Sequence, residues 1–323
     1  MEETNTTDLS LSYVTSGYAV SQAANECQYM PEDYSTLAIS AVSIGICLCG
    51  LVGNVVVMWF LGFNMKKSSF TVYVLNLAIA DFSLLLFLFV NRSLYIIFAV
   101  YCIFSYEYLL TNSVLAYLFL FSYFASMYLL TAMSMERCLS VLFPIWYRCR
   151  RPKRLSGIMC GLLWALAGLF VSLLLTSCYF GPLCVQLLRG ISTVNFLIFF
   201  LFPFLSNLSL FIRLRCSSQR RHPGKLYVAI LLSVIFLLIF GFPLTLNFFL
   251  GHIGIHVFIL QNSYVLASLN SSINPFIYFL VGSCRKRRFQ GSAKVALRRV
   301  FEEKTTSEEG SHMPGDNVVE ATL

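Results

Sequence analysis

Seven apolar stretches run along the chain, at 37–63, 70–92, 106–140, 155–179, 190–214, 225–250 and 256–281. Each is long enough to cross roughly 30 Å of hydrocarbon as a helix. The segments between them are short, so the pattern predicts one compact bundle over 37–281, an all-α membrane protein, and not two domains. Composition agrees: 58% of residues are hydrophobic and 12% charged, an apolar excess that a soluble fold of this size would have to expose. Outside the bundle the pattern gives a polar N-terminal tail over 1–36, an amphipathic helix over 282–301 and a disordered tail over 302–323.

Charge orients the bundle. Between Met1 and Thr36 there is no Lys or Arg, while Glu2, Glu3, Asp8, Glu26, Glu32 and Asp33 all fall there. Of the 23 basic residues, all but Arg92 and Arg189 lie on the opposite side, in its loops, its span ends and the tail. The positive-inside bias therefore puts the N-terminus outside the cell and the C-terminus in the cytosol of a multi-pass plasma-membrane protein. The net charge of +8 reads as a cytosolic face apposed to anionic lipid, not as a nucleic-acid-binding surface. The first thirty residues lack the basic start and apolar core of a cleavable signal, so the first span is expected to act as the signal anchor. Asn5-Thr6-Thr7 is a sequon in the external tail, which makes Asn5 the candidate glycosylation site. Asn91-Arg92-Ser93 also matches but sits at a helix end, and Asn207-Leu208-Ser209 and Asn270-Ser271-Ser272 match only as strings inside spans.

Several polar or helix-breaking residues lie at depths where lipid penalises them: Asn54, Asp81, Ser126 and Trp164 in the first four spans, then Pro203, Pro243 and Pro275 in the last three. A lone Asn or Pro is ordinarily interhelical glue or a tolerated kink. Asp81 is different, because an acid in mid-span is expensive and marks function by default. The third span closes on the adjacent pair Glu136-Arg137 and runs into a cationic loop, which reads either as an interfacial ion pair or as a switch. Taken together, Gly53-Asn54-Val55, Leu77 with Asp81, Glu136-Arg137 and Asn274-Pro275-Phe276-Ile277-Tyr278 resemble the rhodopsin-like G-protein-coupled receptors in order, spacing and helix. Within that family the chain looks like the Mas-related receptors. The residues that carry this are Glu136-Arg137-Cys138, Pro144-Ile145-Trp146-Tyr147-Arg148-Cys149, Phe240-Gly241-Phe242-Pro243 and Asn270-Ser271-Ser272-Ile273-Asn274-Pro275.

The resemblance implies a seven-transmembrane bundle with a short eighth helix, which passes an extracellular signal to a heterotrimeric G protein. It implies that Arg137 faces the G protein, that Glu136 holds it at rest, and that Tyr278 moves inward on activation around Pro243 and Pro275. Gly241 stands where most relatives keep a Trp, so a Trp rotation is replaced by a looser hinge. Asp81, Ser126, Asn270, Ser271 and Asn274 match a set that coordinates Na⁺ in many such receptors; a water-filled network around Asp81 is the alternative. No cofactor other than an allosteric Na⁺ is implied, and Asp81 is its only charged ligand. Some receptors add an acid at the cytosolic end of the sixth helix. Here Arg220, Arg221, His222, Pro223 and Lys225 occupy that region, which predicts raised basal signalling. Asn112 replaces the third-helix Cys of most rhodopsin-like receptors, and the Mas-related substitute is a bridge between Cys178 and Cys184, with Gly181-Pro182 at the turn. Cys27 with Cys102 is a weaker pairing.

On the ligand side, Phe119 occupies the place of the aminergic Asp, and no Lys lies between Lys225 and Lys286 to bind retinal. The places of the acids that sense cationic ligands in Mas-related receptors are Leu174 and Leu188. The charges left near the mouth are Arg92, Glu107 and Arg189, with His252 and His256 beside them. This balance favours an anionic, zwitterionic or lipid-like ligand, with Arg92 one turn inside the second helix as its partner and Tyr117, Phe119, Tyr123, Phe248 and Tyr264 lining the cavity. In the tail, Cys284 to Phe301 read as the amphipathic helix, with Cys284 either buried or palmitoylated. Thr305, Thr306 and Ser307 beside Glu308 and Glu309 offer receptor kinases and then arrestin a site. A constitutively active receptor that needs no ligand is the rival reading. A small transporter would need two related halves, which the chain lacks. An enzyme would need a catalytic constellation, and no His lies in the first six spans.

Overall fold

A computed structural model describes residues 34–63, 68–101, 106–149, 152, 154–180, 190, 193–195, 197–198, 201–206, 208–209, 225–250 and 257–283. Among these residues the regular structure is helical throughout. The helices are α1 (Tyr34–Phe63), α2 (Ser69–Tyr101), α3 (Tyr106–Leu142), the short α4 (Pro144–Cys149), α5 (Leu155–Phe180), α6 (Lys225–Phe236), α7 (Phe242–Leu250) and α8 (Val257–Ser283). A π-helical stretch, Leu237–Gly241, joins α6 to α7, so these three make up the sixth span. Five helices are long and apolar enough to cross a membrane whole: α1, α2, α3, α5 and α8. Of the fifth span, helical pieces between 190 and 209 are described. The chain is thus all-α and consistent with the seven-helix bundle expected from its pattern.

Local chemistry explains where helices start. Ser68 caps α2: its Oγ accepts the Thr71 N–H at 3.2 Å, while Thr71 Oγ1 accepts the Ser68 N–H at 2.8 Å. This reciprocal arrangement satisfies donors that the first turn leaves open. Pro144 opens α4, where its missing N–H costs nothing. The second helix departs from expectation at its other end. It runs nine residues past Arg92, the point where the charge suggested a border, so Arg92 sits more than two turns inside it and not one.

The core lies between α2, α3 and α8, with Tyr73, Leu77, Leu84, Phe119, Tyr123, Phe124 and Met127 fully buried. Outward residues such as Val52, Trp59, Phe63, Leu162 and Leu169 are large, apolar and exposed, which is the surface lipid requires. Without a hydrophobic force between helices, small residues and polar bridges set the close contacts. Gly50 brings α1 against α8 so tightly that a Cβ there would lie 2.2 Å from Ser272 Oγ. Asn54 Nδ2 donates both to Gly50 O in its own helix and to Ser271 O in α8, at 3.0 and 3.2 Å. Trp164 Nε1 donates to Asn76 Oδ1 at 3.2 Å, tying α5 to α2, and Tyr128 donates to Asn195 of the fifth span. The mid-span Asn54 and Trp164 are therefore interhelical glue.

Candidate functional site

Four polar sites are threaded through this bundle, and α2 carries part of three of them. From Phe70 the buried positions Tyr73, Leu77, Asp81, Leu84, Leu88 and Arg92 recur every three or four residues, which is one helix face. That face meets α3 and α8 along its length.

In mid-membrane, Asp81 is fully buried. Ser126 Oγ of α3 donates to its Oδ1 at 2.6 Å, and Asn274 Nδ2 of α8 donates to its Oδ2 at 2.9 Å. One carboxylate thereby joins three helices. Asn270 and Ser271 also lie on α8 and are buried, within one helical turn of Asn274. Three oxygens of this group, Asn270 Oδ1, Ser271 Oγ and Asn274 Oδ1, are buried with no hydrogen-bond partner among the described residues. Unpartnered buried oxygens cost free energy. An anionic ligand flanked by neutral oxygens suits a hard cation, so the residues present fit Na⁺.

One turn along α8, Pro275 and Tyr278 are buried, and Pro275 faces Gly53 of α1, whose Cβ would lie 3.1 Å from the proline ring. In the sixth span, Pro243 has no N–H for the carbonyl four residues back, and its ring would clash with that carbonyl. The chain answers with the π-helical turn Leu237–Gly241 just before it, in which the Phe242 N–H bonds Leu237 O. Gly241 is not a gap where a Trp is missing. A Cβ there would lie 3.0 Å from Leu237 Cδ1, 3.1 Å from Met127 Sδ and 3.4 Å from Asn270 Nδ2. The expected slack is thus filled by neighbours. The Gly241 carbonyl accepts the Tyr123 hydroxyl of α3 at 2.7 Å, and the same hydroxyl lies 2.6 Å from Thr245 Oγ1. Tyr123 is a clamp on the sixth span.

At the C-terminal end of α3, Glu136 accepts from two phenols: Tyr73 of α2 at 3.1 Å and Tyr147 of α4 at 3.3 Å. Arg137 is buried, with its guanidinium stacked 4.0 Å from the centre of the Phe70 ring. Neither Tyr73 nor Phe70 was singled out by sequence, and Tyr147 entered only within the Pro144–Cys149 motif, with no role assigned. Tyr73 and Phe70 lie on the Asp81 face of α2, and that spacing was the signal available.

Toward the opposite end of the bundle, Arg92 of α2 is 7% exposed. Its Nη1 donates to Gln261 Oε1 of α8 at 2.8 Å, and the guanidinium lies 5.4 Å from the centre of the Tyr264 ring. Its Nε is buried without a partner among the described residues. Tyr264 meets Phe119 edge-on at 5.1 Å, and Phe119 lies 6.3 Å from Tyr123 in a stacked arrangement. Four of the aromatic and basic residues expected to line a cavity are therefore contiguous. Tyr117 is half-buried against the core beside them. Phe248 falls on α7, but its side chain lies outside the described residues. Glu107 is exposed in the first turn of α3, and Leu174 packs on the core. The amide partner of Arg92, Gln261, was missed because an amide at a helix start looks like any other polar boundary. Asn91 Nδ2 donates to Asn112 Oδ1 at 2.7 Å, so the residue that replaces the usual cysteine joins α2 to α3 instead.

Asn5, Cys27, Cys102, Cys184, Leu188, Arg189, His252, His256, the basic run at 220–223 and the tail beyond 283 lie outside the described residues, as does the side chain of Cys178.

Comparison with known proteins gives the same outline. Residues 53–278 match the family model described as 7 transmembrane receptor (rhodopsin family). The chain is 39% identical to proto-oncogene Mas of Homo sapiens over 271 residues, 81% of this chain and 82% of that protein. It is 41% identical to Mas-related G-protein coupled receptor member X1 of Rattus norvegicus, covering 82% and 84% of the two chains. With Mas-related G-protein coupled receptor member D of the same species it shares 39% identity over 86% of this chain and 91% of the other.

Proposed function

The chain belongs to the rhodopsin family of seven-transmembrane receptors, among its Mas and Mas-related members, and from that premise we propose how its polar sites divide the work of a G-protein-coupled receptor. The ligand arrives from the side of the N-terminal tail, which is extracellular by charge asymmetry. Arg137 faces the G protein. Glu136, held between Tyr73 and Tyr147, keeps that end of α3 in its resting arrangement. Kinases and then arrestin read Thr305, Thr306 and Ser307 on the cytosolic tail.

The observation that carries this reading is the Asp81 junction, because it joins α2, α3 and α8 through one buried charge. Na⁺ beside Asp81, with Asn270, Ser271 and Asn274 supplying oxygens, would stabilise the closed bundle when bound, and losing it would favour the active one. The test is G-protein dissociation in intact cells, run without ligand across a panel of heterotrimers, with N-methylglucamine replacing sodium in one arm. Signal above mock-transfected cells, abolished in Arg137→Ala and raised when sodium is withdrawn, is the expected result. Dissociation identical in wild type, Arg137→Ala and mock cells, with the protein at the surface, overturns it. A constitutively active receptor needing no ligand is the second reading, favoured by the basic residues at 220–225 where a restraining acid would stand.

A further inference from the structure

We infer that Arg92 is the anchor for a single oxyanion, a carboxylate or a phosphate monoester, on an amphipathic ligand that enters from the extracellular side. The inference rests on the receptor reading above and adds the chemical class of the ligand.

A guanidinium stays charged at any physiological pH, and burying it costs several kcal/mol unless an anion or a full set of acceptors compensates. Arg92 is more than nine-tenths buried, yet its hydrogen-bonding partner is the neutral Gln261 amide. The acids of the spans are placed elsewhere. Asp81 lies eleven residues down the same face, about 16 Å of helix rise away, with both oxygens already engaged. Glu107 is exposed on the first turn of α3, and Glu136 is at the cytosolic end of that helix. Among the described residues the charge is therefore held in place without a counter-charge in the helices around it.

The geometry is that of a receptor for one. Gln261 ties Nη1 and Tyr264 lies under the guanidinium, which together fix its plane. The Nε–H is buried with no partner among the described residues. The Nε and Nη2 edge is the one that grips a carboxylate or phosphate through two parallel hydrogen bonds. One cation favours a ligand with a single oxyanion group over one that carries several. Beside it the half-buried ring of Tyr264 offers a face suited to an apolar or aryl body and unsuited to inorganic phosphate, and behind it Phe119 and Tyr123 are buried in the core. A body on Tyr264 would press through Phe119 on the ring whose hydroxyl clamps the sixth span, which gives its binding a mechanical readout.

The experiment uses the full chain in nanodiscs of neutral lipid and reads its melting temperature with four matched probes: 4-phenylbutyrate, 4-phenylbutyl phosphate, 4-phenylbutanol and 4-phenylbutylamine. The two anions raise the melting temperature of the wild type and the alcohol and amine do not; the larger anionic shift tells a carboxylate site from a phosphate site. Arg92→Gln removes the anionic shift, and Arg92→Lys weakens anion binding at least tenfold because a point charge cannot grip both oxygens. Gln261→Glu places a carboxylate on Nη1. It raises the melting temperature without probe and weakens anion binding at least tenfold, an effect a merely structural role for Arg92 does not produce. Equal shifts with all four probes, or an anionic shift that survives Arg92→Gln, overturn the inference. So does an anionic shift that appears only when Glu26, Glu32 and Asp33 of the tail are neutralised, since the chain would then supply its own anion. Binding of G protein to the wild type in the same discs reads the receptor assignment separately. Intact coupling with no anionic shift overturns the anchor alone.

Discussion

Asp81 and Arg92 project from the same face of α2, three turns apart, and both are buried charges in lipid-spanning helix. Their surroundings differ in kind. Asp81 receives a hydrogen bond on each oxygen from side chains of two other helices. Arg92 has one amide, one ring and a buried N–H left over. A junction that is closed on the protein side holds the bundle together. One that is open on the protein side stores a demand for something from outside. On this contrast rests the proposal that one end of a single helix face is structural and the other receptive.

Breaking the closed end should cost most. Asp81→Leu leaves the Ser126 hydroxyl and the Asn274 amide without their acceptor in a buried site. Two stranded groups of this kind cost about 2 to 4 kcal/mol together. Thermal unfolding of the purified receptor should show a large loss of stability, and any sodium dependence of the melting temperature should vanish with it. Asp81→Asn keeps an acceptor and should fall between the two. A leucine variant that melts with the wild type would mean that the three helices are held by packing alone.

The open end should respond more weakly, and in the direction of what is supplied. Gln261→Leu removes the one amide on Nη1 and should cost about 1 to 2 kcal/mol, because a second part of the guanidinium is then buried unpaired. Gln261→Glu makes Arg92 resemble Asp81 and should do the opposite. If both substitutions destabilise equally, the difference between the two ends is one of packing and not of charge.

How much of this the chain disclosed by itself follows from the cost of each residue. Asp81 is legible because a mid-span acid has few bland explanations, and its partners Ser126 and Asn274 came with the family resemblance. Arg92 was legible as a charge but misread in position: a long side chain whose head finds Gln261 and Tyr264 need not sit at the helix border, so α2 continues to Tyr101. Pro243 announces that the sixth span breaks but not how, since a kink and a π-helical turn both answer a missing N–H. Gly241 suggested slack, and Leu237, Met127 and Asn270 fill it. Tyr73 and Tyr147 come to Glu136 from different helices, and such meetings appear only once the bundle is packed.

Tyr123 connects the open end to the sixth span. Tyr123→Phe keeps the ring against Phe119 but deletes the hydrogen bonds to the Gly241 carbonyl and to Thr245. The loss of stability should be about 1 kcal/mol, with a rise in ligand-free G-protein dissociation as the π-helical turn is freed from α3. A variant with unchanged dissociation would confine Tyr123 to packing.

The smallest effect on stability should come from Tyr147→Phe. Its hydroxyl reaches Glu136 at 3.3 Å from the half-buried face of α4, a long bond in reach of water, so melting should change by well under 1 kcal/mol. Signalling should respond more than stability does. Glu136 then keeps Tyr73 as its phenolic donor, and α4 loses a tether to the end of α3. Ligand-free dissociation should rise in Tyr147→Phe, rise further when Tyr73→Phe is added, and fall to mock level when Arg137→Ala is placed in the same background. If the double tyrosine variant signals like the wild type, Glu136 restrains Arg137 without help from its neighbours, and the cytosolic site would be as closed on its own as Asp81 is through three helices.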